Sequence, residues 1–200
     1  MFDERLEEFC RERLGGRPVP EDLRLLATAQ WEGSGHPFEQ FGITVLDPGA
    51  QHPLTDTSYL NEKERANPDV MANCAASRQM AKWLAAVAQE EDGSFYGYWL
   101  HPQQRRDRQV PPVIKVDTEL TYWDLGECTL SEACLYDIAF DDDQLFERVA
   151  AELAQLHISV PVRSHVDLDV LSAVPDPGDM HQQLYYAERK RLGMPDRLDP

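Results

Sequence analysis

The commonest catalytic signatures are missing from this chain. It has no Gly-rich phosphate loop, no His-Glu-x-x-His helix, no Cys-x-x-Cys pair and no Gly-x-Ser-x-Gly elbow, which weakens an enzymatic reading. No stretch approaches the ~20 apolar residues of a membrane span. The opening MFDERLEEFCRERLGG lacks the apolar centre of a secretory signal, so the expected location is cytoplasmic. Cysteine is scarce: Cys10, Cys74, Cys128 and Cys134 are scattered and mostly sit in helical patterns, which predicts four free thiols. Positive charge is scarce too. Lys and Arg total 19 against 36 Asp and Glu, and the net charge of -17 repels nucleic acid and anionic membranes. A basic protein partner follows from that imbalance, and so, equally, does an acidic surface kept for solubility.

What is present is enough to fold. Hydrophobic residues make up 42% of the 200, which supports one core with a C-terminal arm. Phe2, Leu6, Phe9, Cys10 and Leu14 recur at helical spacing behind Asp3 as a possible N-cap, and Gly15-Gly16 is a stop. A second helix is expected over residues 21–30, ending near Trp31, and a strand over 41–46 running into Asp47-Pro48-Gly49. The next twenty residues read as an ordered loop. From Pro68 one apolar stripe, from Val70 through Met80 and Leu84 to Ala88, predicts a long helix stopped by Gly93. Residues 95–100, 113–118 and 121–125 read as three strands of an antiparallel meander, with Arg105, Arg106 and Arg108 in an exposed loop between the first two. Thr129-Leu-Ser-Glu132 has the form of a capping box, and Asp141-Asp142-Asp143 opens an amphipathic helix. Residues 166–170 alternate like a strand, and a final helix carries Met180, Leu184, Tyr185 and Leu192 with a basic end.

Three constellations invite a chemical reading. Ser34 and His36 could pair a hydroxyl with an imidazole, although activation needs a third orienting group and a flexible loop explains both residues. His157, His165, Asp167 and Asp169 are acceptable transition-metal ligands, but their spacing matches no common site and a half-exposed strand accounts for the alternation. Asp141 to Asp143 could attract calcium, yet no EF-hand loop follows and helix capping suffices. Aromatics cluster at Phe95, Tyr96, Tyr98 and Trp99, with Tyr122 and Trp123 behind them. Strand alternation sends half into the core, and any left on an open face would anchor a partner.

The order of elements, together with several segments, resembles the SUKH superfamily. The matching stretches are Pro20-Glu-Asp-Leu23, Phe41-Gly-Ile-Thr-Val-Leu46, Tyr96-Gly-Tyr-Trp99, Pro111-Pro-Val-Ile-Lys-Val-Asp117 running through Glu119 to Gly126, and Leu130-Ser-Glu132, spanning roughly residues 18–140. One departure is Leu120, where the family commonly has a small residue after the hairpin Glu, which leaves the turn type or register open. The resemblance implies an α+β fold, an antiparallel or mixed sheet flanked by helices, with a cleft for protein partners and no family-wide catalytic residues. Members are mainly bacterial immunity proteins against secreted toxins, with fungal relatives that regulate cell-wall assembly.

The combined expectation is a non-enzymatic, protein-binding domain over residues 1–160 with a C-terminal helical extension over 161–200. Its leading reading is an immunity protein that covers the basic active site of a toxin domain such as a nuclease. The alternatives are a regulatory or scaffold protein without a toxin, and a metal-dependent enzyme. The candidate partner-binding residues are Tyr98, Asp117, Glu119, Trp123, Asp141, Asp142, Asp143, Asp167 and Asp169. No catalytic residue, cofactor or metal is expected. Residues 141–180 carry nine acids against two bases, so the charge is regional.

Overall fold

Helices cover both faces of a central antiparallel sheet. The structure, a computed structural model, describes residues 2–104, 111–126, 128–161 and 173–195. The sheet runs in sequence order through β1 (Thr44–Val45), β2 (Leu84–Gln89), β3 (Phe95–Trp99), β4 (Val113–Val116) and β5 (Tyr122–Asp124). Every neighbouring pair is antiparallel, although a 3-10 turn (Pro53–Thr55) and two helices (Glu62–Arg65 and Pro68–Met80) intervene between β1 and β2. The fold is the expected α+β arrangement, and the three-strand meander pairs as its sequence suggested. The loop of Arg105 to Arg108 and the alternating segment at 166–170 lie outside the described residues.

Two apolar layers form, one on each face. Helices α1 (Phe2–Glu12), α2 (Glu21–Glu32), α5 (Leu130–Ile138) and α6 (Asp143–Gln155) close one face, where Phe9, Leu23, Leu26, Tyr96, Tyr98, Leu135, Phe146 and Val149 pack together. On the other face Phe95, Trp99, Ile114 and Val116 meet Met80 of α4 (Pro68–Met80) and Ala173. A short α3 (Glu62–Arg65) precedes α4, and α7 (Pro177–Arg191) packs along α4, adding Met180 and Leu184 to that second layer. The extension therefore completes the core. Arg189 holds it down: buried, it pairs with Asp69 and donates to the Tyr185 hydroxyl at 3.2 Å and to Pro195 O at 2.9 Å.

Helix ends follow local chemistry. Gly33 ends α2 at φ 77, a left-handed conformation that is easy only for glycine. The capping box of Thr129 and Glu132 forms, and Asp142 accepts from the Leu145 amide at 2.9 Å to start α6. Asp3 is not a cap, because α1 already includes Phe2 and Asp3 falls in its first turn. Among the described residues no helix is long and apolar enough to cross a membrane.

Three sequence expectations are corrected. The stripe from Pro68 to Ala88 is not one helix: α4 stops at Met80, and residues 84–89 form β2 inside the sheet. Its first five residues are all buried, so the alternation that marks a half-exposed strand is absent, and a run of alanines mimics a helix. The strand over 41–46 shrinks to Thr44–Val45, because Pro37–Phe41 forms a 3-10 turn instead. Nor do only half of the β3 aromatics enter the core: Phe95, Tyr96, Tyr98 and Trp99 are all buried, and Trp123 on β5 is the exposed member of the cluster.

Gly97 sits mid-sheet between Ala86 and Ile114, and a Cβ there would lie 2.8 Å from Ala85 O. Gly97→Ala is expected to cost about 2 kcal/mol, the usual penalty for forcing backbone apart in a packed interior. A urea midpoint unchanged from the parent would show that β2 and β3 can separate freely.

Two histidines, His36 and His181, are buried, and His52 is half-buried. The His52 ring bridges Leu84 O, 2.7 Å from Nε2, and the Leu54 amide, which donates to Nδ1 at 3.1 Å, a pairing suited to the neutral ring. His181 Nε2 meets Ser77 Oγ at 3.3 Å, and His36 Nε2 meets Gln30 Oε1 at 3.2 Å. Burial holds all three below the ordinary histidine pKa, outweighing Glu39 at His36, the Leu84 carbonyl at His52 and the Asn73 backbone at His181. The unfolded chain then binds more protons than the folded one just below pH ~6.5, so stability is full above that value and declines as pH falls through the folded values. Urea midpoints should drop between pH 7.5 and 5, and a flat profile would contradict this.

Candidate functional site

One end of the sheet gathers most of the chemistry. Tyr96 reaches Asp137 in the last turns of α5, whereas Tyr98 lies beside the start of that helix, so α5 runs antiparallel to β3. Its C-terminal end therefore stands over the β2–β3 turn at residues 90–93. The β4–β5 turn lies at the same end, since a Cβ on Gly93 would be 3.7 Å from Thr118 Cγ2. The loop at 53–59 shares a cleft of about 420 Å³ with Asp92, Asp117 and Glu119. Asp56, Glu90, Glu91, Asp92, Asp117, Glu119, Asp137, Asp141, Asp142 and Asp143 thus converge on one end of the molecule.

Lys115 is a cation built into this end. Its Nζ donates to Glu90 Oε1 at 2.9 Å and to Asp137 Oδ2 at 2.6 Å, and the Tyr96 hydroxyl lies 2.6 and 2.7 Å from the same two oxygens. Burial disfavours charge on Lys115, but the bonds to Asp137 and Glu90 outweigh it and hold its pKa above the ordinary lysine value. Two carboxylates against one ammonium leave the cluster negative. Tyr96 remains a hydroxyl, because burial and the neighbouring Cys134 and Asp137 push its pKa far up.

The β4–β5 turn answers the question posed by Leu120. Leu120 takes φ 64, its amide donates to Asp117 O at 3.1 Å, and the Asp117 amide donates to Thr121 O at 3.1 Å. The result is a type I turn closed by a left-handed residue, a position that glycine usually fills. Asp117 Oδ1 supports it by accepting from the amides of Glu119 at 2.9 Å and Thr121 at 2.8 Å. Burial opposes charge on Asp117, but these amides, the Thr121 hydroxyl and the Trp123 indole outweigh it and lower its pKa.

Exposed aromatics stand among these acids. Trp123, opposite Lys115 on the edge strand, is 55% exposed, and its indole donates to Asp117 Oδ2 at 3.4 Å. Phe140, 60% exposed, follows α5 directly before Asp141, and Tyr59, 71% exposed, lines the cleft beside Asp92 and Glu119. Large exposed aromatics within a charged rim are the composition of binding hot spots.

The candidate residues fare unequally. Trp123, Glu119, Asp141, Asp142 and Asp143 are exposed at this end, although Asp142 is occupied as the cap of α6. Asp117 is half-buried and holds the turn together. Tyr98 is corrected: at 1% exposure it is a core residue facing α5, because both faces of β3 are covered. Asp167 and Asp169 lie outside the described residues. Sequence reading missed Tyr59, Phe140, Lys115, Glu90 and Asp137. An isolated Tyr in the polar run Thr55-Asp-Thr-Ser-Tyr59, and a Phe immediately before three aspartates, were the available signals.

Of the catalytic constellations, the Ser34 and His36 pair does not assemble. Ser34 Oγ donates to Ala29 O at 3.0 Å while His36 Nε2 faces Gln30, so they form no nucleophile and base. The four cysteines are free. Burial pushes the Cys128 thiol up to about 12 and raises Cys74 and Cys134 as well, which leaves those three poor nucleophiles at neutral pH. His157 stands exposed at φ 63, and the other three members of its proposed metal set lie outside the described residues. Among the described residues no group of three or more His, Cys, Asp or Glu is arranged to hold a metal ion. Comparison of the chain with known family models, curated proteins and solved structures finds no match.

Proposed function

We propose that this chain is a protein-binding module that captures a basic partner with the acidic, aromatic-studded end of its sheet, and that it acts as an immunity-type inhibitor of a toxin domain. The observation that carries this reading is the convergence of Tyr59, Trp123 and Phe140, all more than half exposed, with acids from five separate segments. Solubility needs charge spread over the surface, and it gives no reason to place aromatics beside it. A toxin nuclease grips phosphates with Lys and Arg, so an acidic surface would compete for the same groups and occlude the site. The segments that resemble the SUKH superfamily agree with this. The protein works without catalysis and stays in the cytoplasm beside its partner.

Co-expression with the toxin-like domains encoded beside its gene tests the proposal. A complex that copurifies, protects the host cell and weakens as salt rises is expected. If every neighbouring toxin-like domain fails to bind, the immunity reading falls. If no such gene lies nearby and a basic regulatory protein binds instead, the inhibitor role falls and the binding role stands.

A further inference from the structure

A second cleft, of about 540 Å³, opens at the opposite end of β3 from the acidic surface. Its walls include Val19, Leu25, Leu100 and Ile158, with Asp22 and Tyr98 also lining it. Asp22 is only 7% exposed, yet among the described residues no Lys, Arg or His pairs with it. Its Oδ2 accepts from the Ser131 amide at 2.9 Å and the Ser131 hydroxyl at 3.0 Å, and among the described residues its Oδ1 accepts no hydrogen bond. The start of α5 supplies a partial positive charge of about half a unit, which leaves the carboxylate incompletely matched. The Tyr98 hydroxyl, buried at the wall of the cleft beside the Leu130 backbone, makes no hydrogen bond of good geometry. Burial, followed by the Asp22 charge, keeps it protonated, so its oxygen is a neutral acceptor. Arg17 and Glu21 stand exposed among the outer lining residues with opposite charges.

We propose that this cleft binds a small organic cation, a primary ammonium carried on an apolar ring or chain. The ammonium supplies the counter-charge that Asp22 lacks and has donors for both Asp22 Oδ1 and the Tyr98 oxygen, while the apolar body fills the space between the hydrophobic walls. The volume falls within the range of about 300–1,000 Å³ usual for small-molecule sites. The negative net charge of the chain raises the local concentration of any cation. This site is independent of the partner surface and stands whether or not that surface binds a toxin.

Amide NMR titration of the whole chain with phenethylammonium and octylammonium, against 2-phenylethanol and phenylacetate at constant ionic strength, tests it. Saturable shifts of the Val19, Leu130 and Ser131 amides with at least one ammonium below about 10 mM are expected, with the alcohol at least about tenfold weaker and phenylacetate silent. Asp22→Asn keeps an acceptor for Ser131 and should weaken the ammonium at least about tenfold while leaving the alcohol within about twofold. Tyr98→Phe, which removes an unpaired hydroxyl without harming the core, should weaken the ammonium alone by about threefold. Val19→Trp, which fills the cleft and leaves Asp22 intact, should abolish binding of every probe and covers the case in which Asp22→Asn fails to fold. Equal affinity for ammonium and alcohol, silence from both ammonium probes, or full ammonium binding by folded Asp22→Asn or by Val19→Trp would each overturn the proposal.

Discussion

Lys115→Met is expected to destabilise the fold by about 3 kcal/mol, because it strands Glu90 and Asp137 beside each other without the ammonium between them. The three side chains are 17%, 18% and 27% exposed, so water screens the two carboxylates only in part. Methionine keeps most of the aliphatic volume against the Tyr96 ring, which lies 5.4 Å from the ammonium, and the loss is therefore electrostatic and not a cavity effect. Adding Glu90→Gln and Asp137→Asn to Lys115→Met should recover at least half of it, since neutral amides remove the repulsion. The pH dependence separates this from a packing defect. A folded pKa above the unfolded lysine value means that Lys115 contributes its stability fully below pH ~10.4 and loses it as pH rises through the folded value. Urea midpoints of parent and variant should therefore converge in strong alkali, where both carry the two carboxylates uncompensated. Curves that stay parallel at high pH would assign the loss to packing.

Much of this architecture was legible because local chemistry and global fold agree. Thr129 and Glu132 cap a helix in isolation and in place, and the strands at 95–99, 113–116 and 122–124 pair in the order their short connections favour. Reading failed where burial on both sides erased the pattern. The segment Leu84-Ala-Ala-Val-Ala-Gln89 shows no alternation and continues the helical spacing of α4, and only the β1 and β3 neighbours make it a strand. The same two-sided cover moved Tyr98 from surface to core. Leu120 is a different case: its left-handed backbone is about 1 kcal/mol uphill for a leucine, and the Asp117 hydrogen bonds and packing against the second apolar layer offset it. Sequence could mark the aspartates, but Glu90, Lys115 and Asp137 lie on three different elements, and only the antiparallel run of α5 over β3 makes them one site.

That assembly determines which substitutions probe recognition cleanly. Asp142 is a poor choice despite its exposure, because losing its bond to the Leu145 amide costs about 1 kcal/mol of helix stability. Glu119 and Asp143 are exposed, so Glu119→Gln with Asp143→Asn should slow association with a basic toxin domain while changing stability by no more than about 0.5 kcal/mol each. The slowing should shrink at high salt, where charges beyond a Debye length of ~8 Å are screened for parent and variant alike. Trp123→Ala and Phe140→Ala act on the other rate constant. Each removes an apolar anchor that a partner would desolvate, and each should speed dissociation by about thirtyfold or more, equivalent to at least about 2 kcal/mol. Their effect should persist at high salt, since burial of rings does not depend on ionic strength. Stopped-flow association and surface-plasmon dissociation at low and high salt would resolve the two classes. If the aromatic variants dissociate at the parental rate while the charge variants alone matter, the surface steers the partner but does not hold it. If neither class changes either rate, the interface lies elsewhere on the molecule.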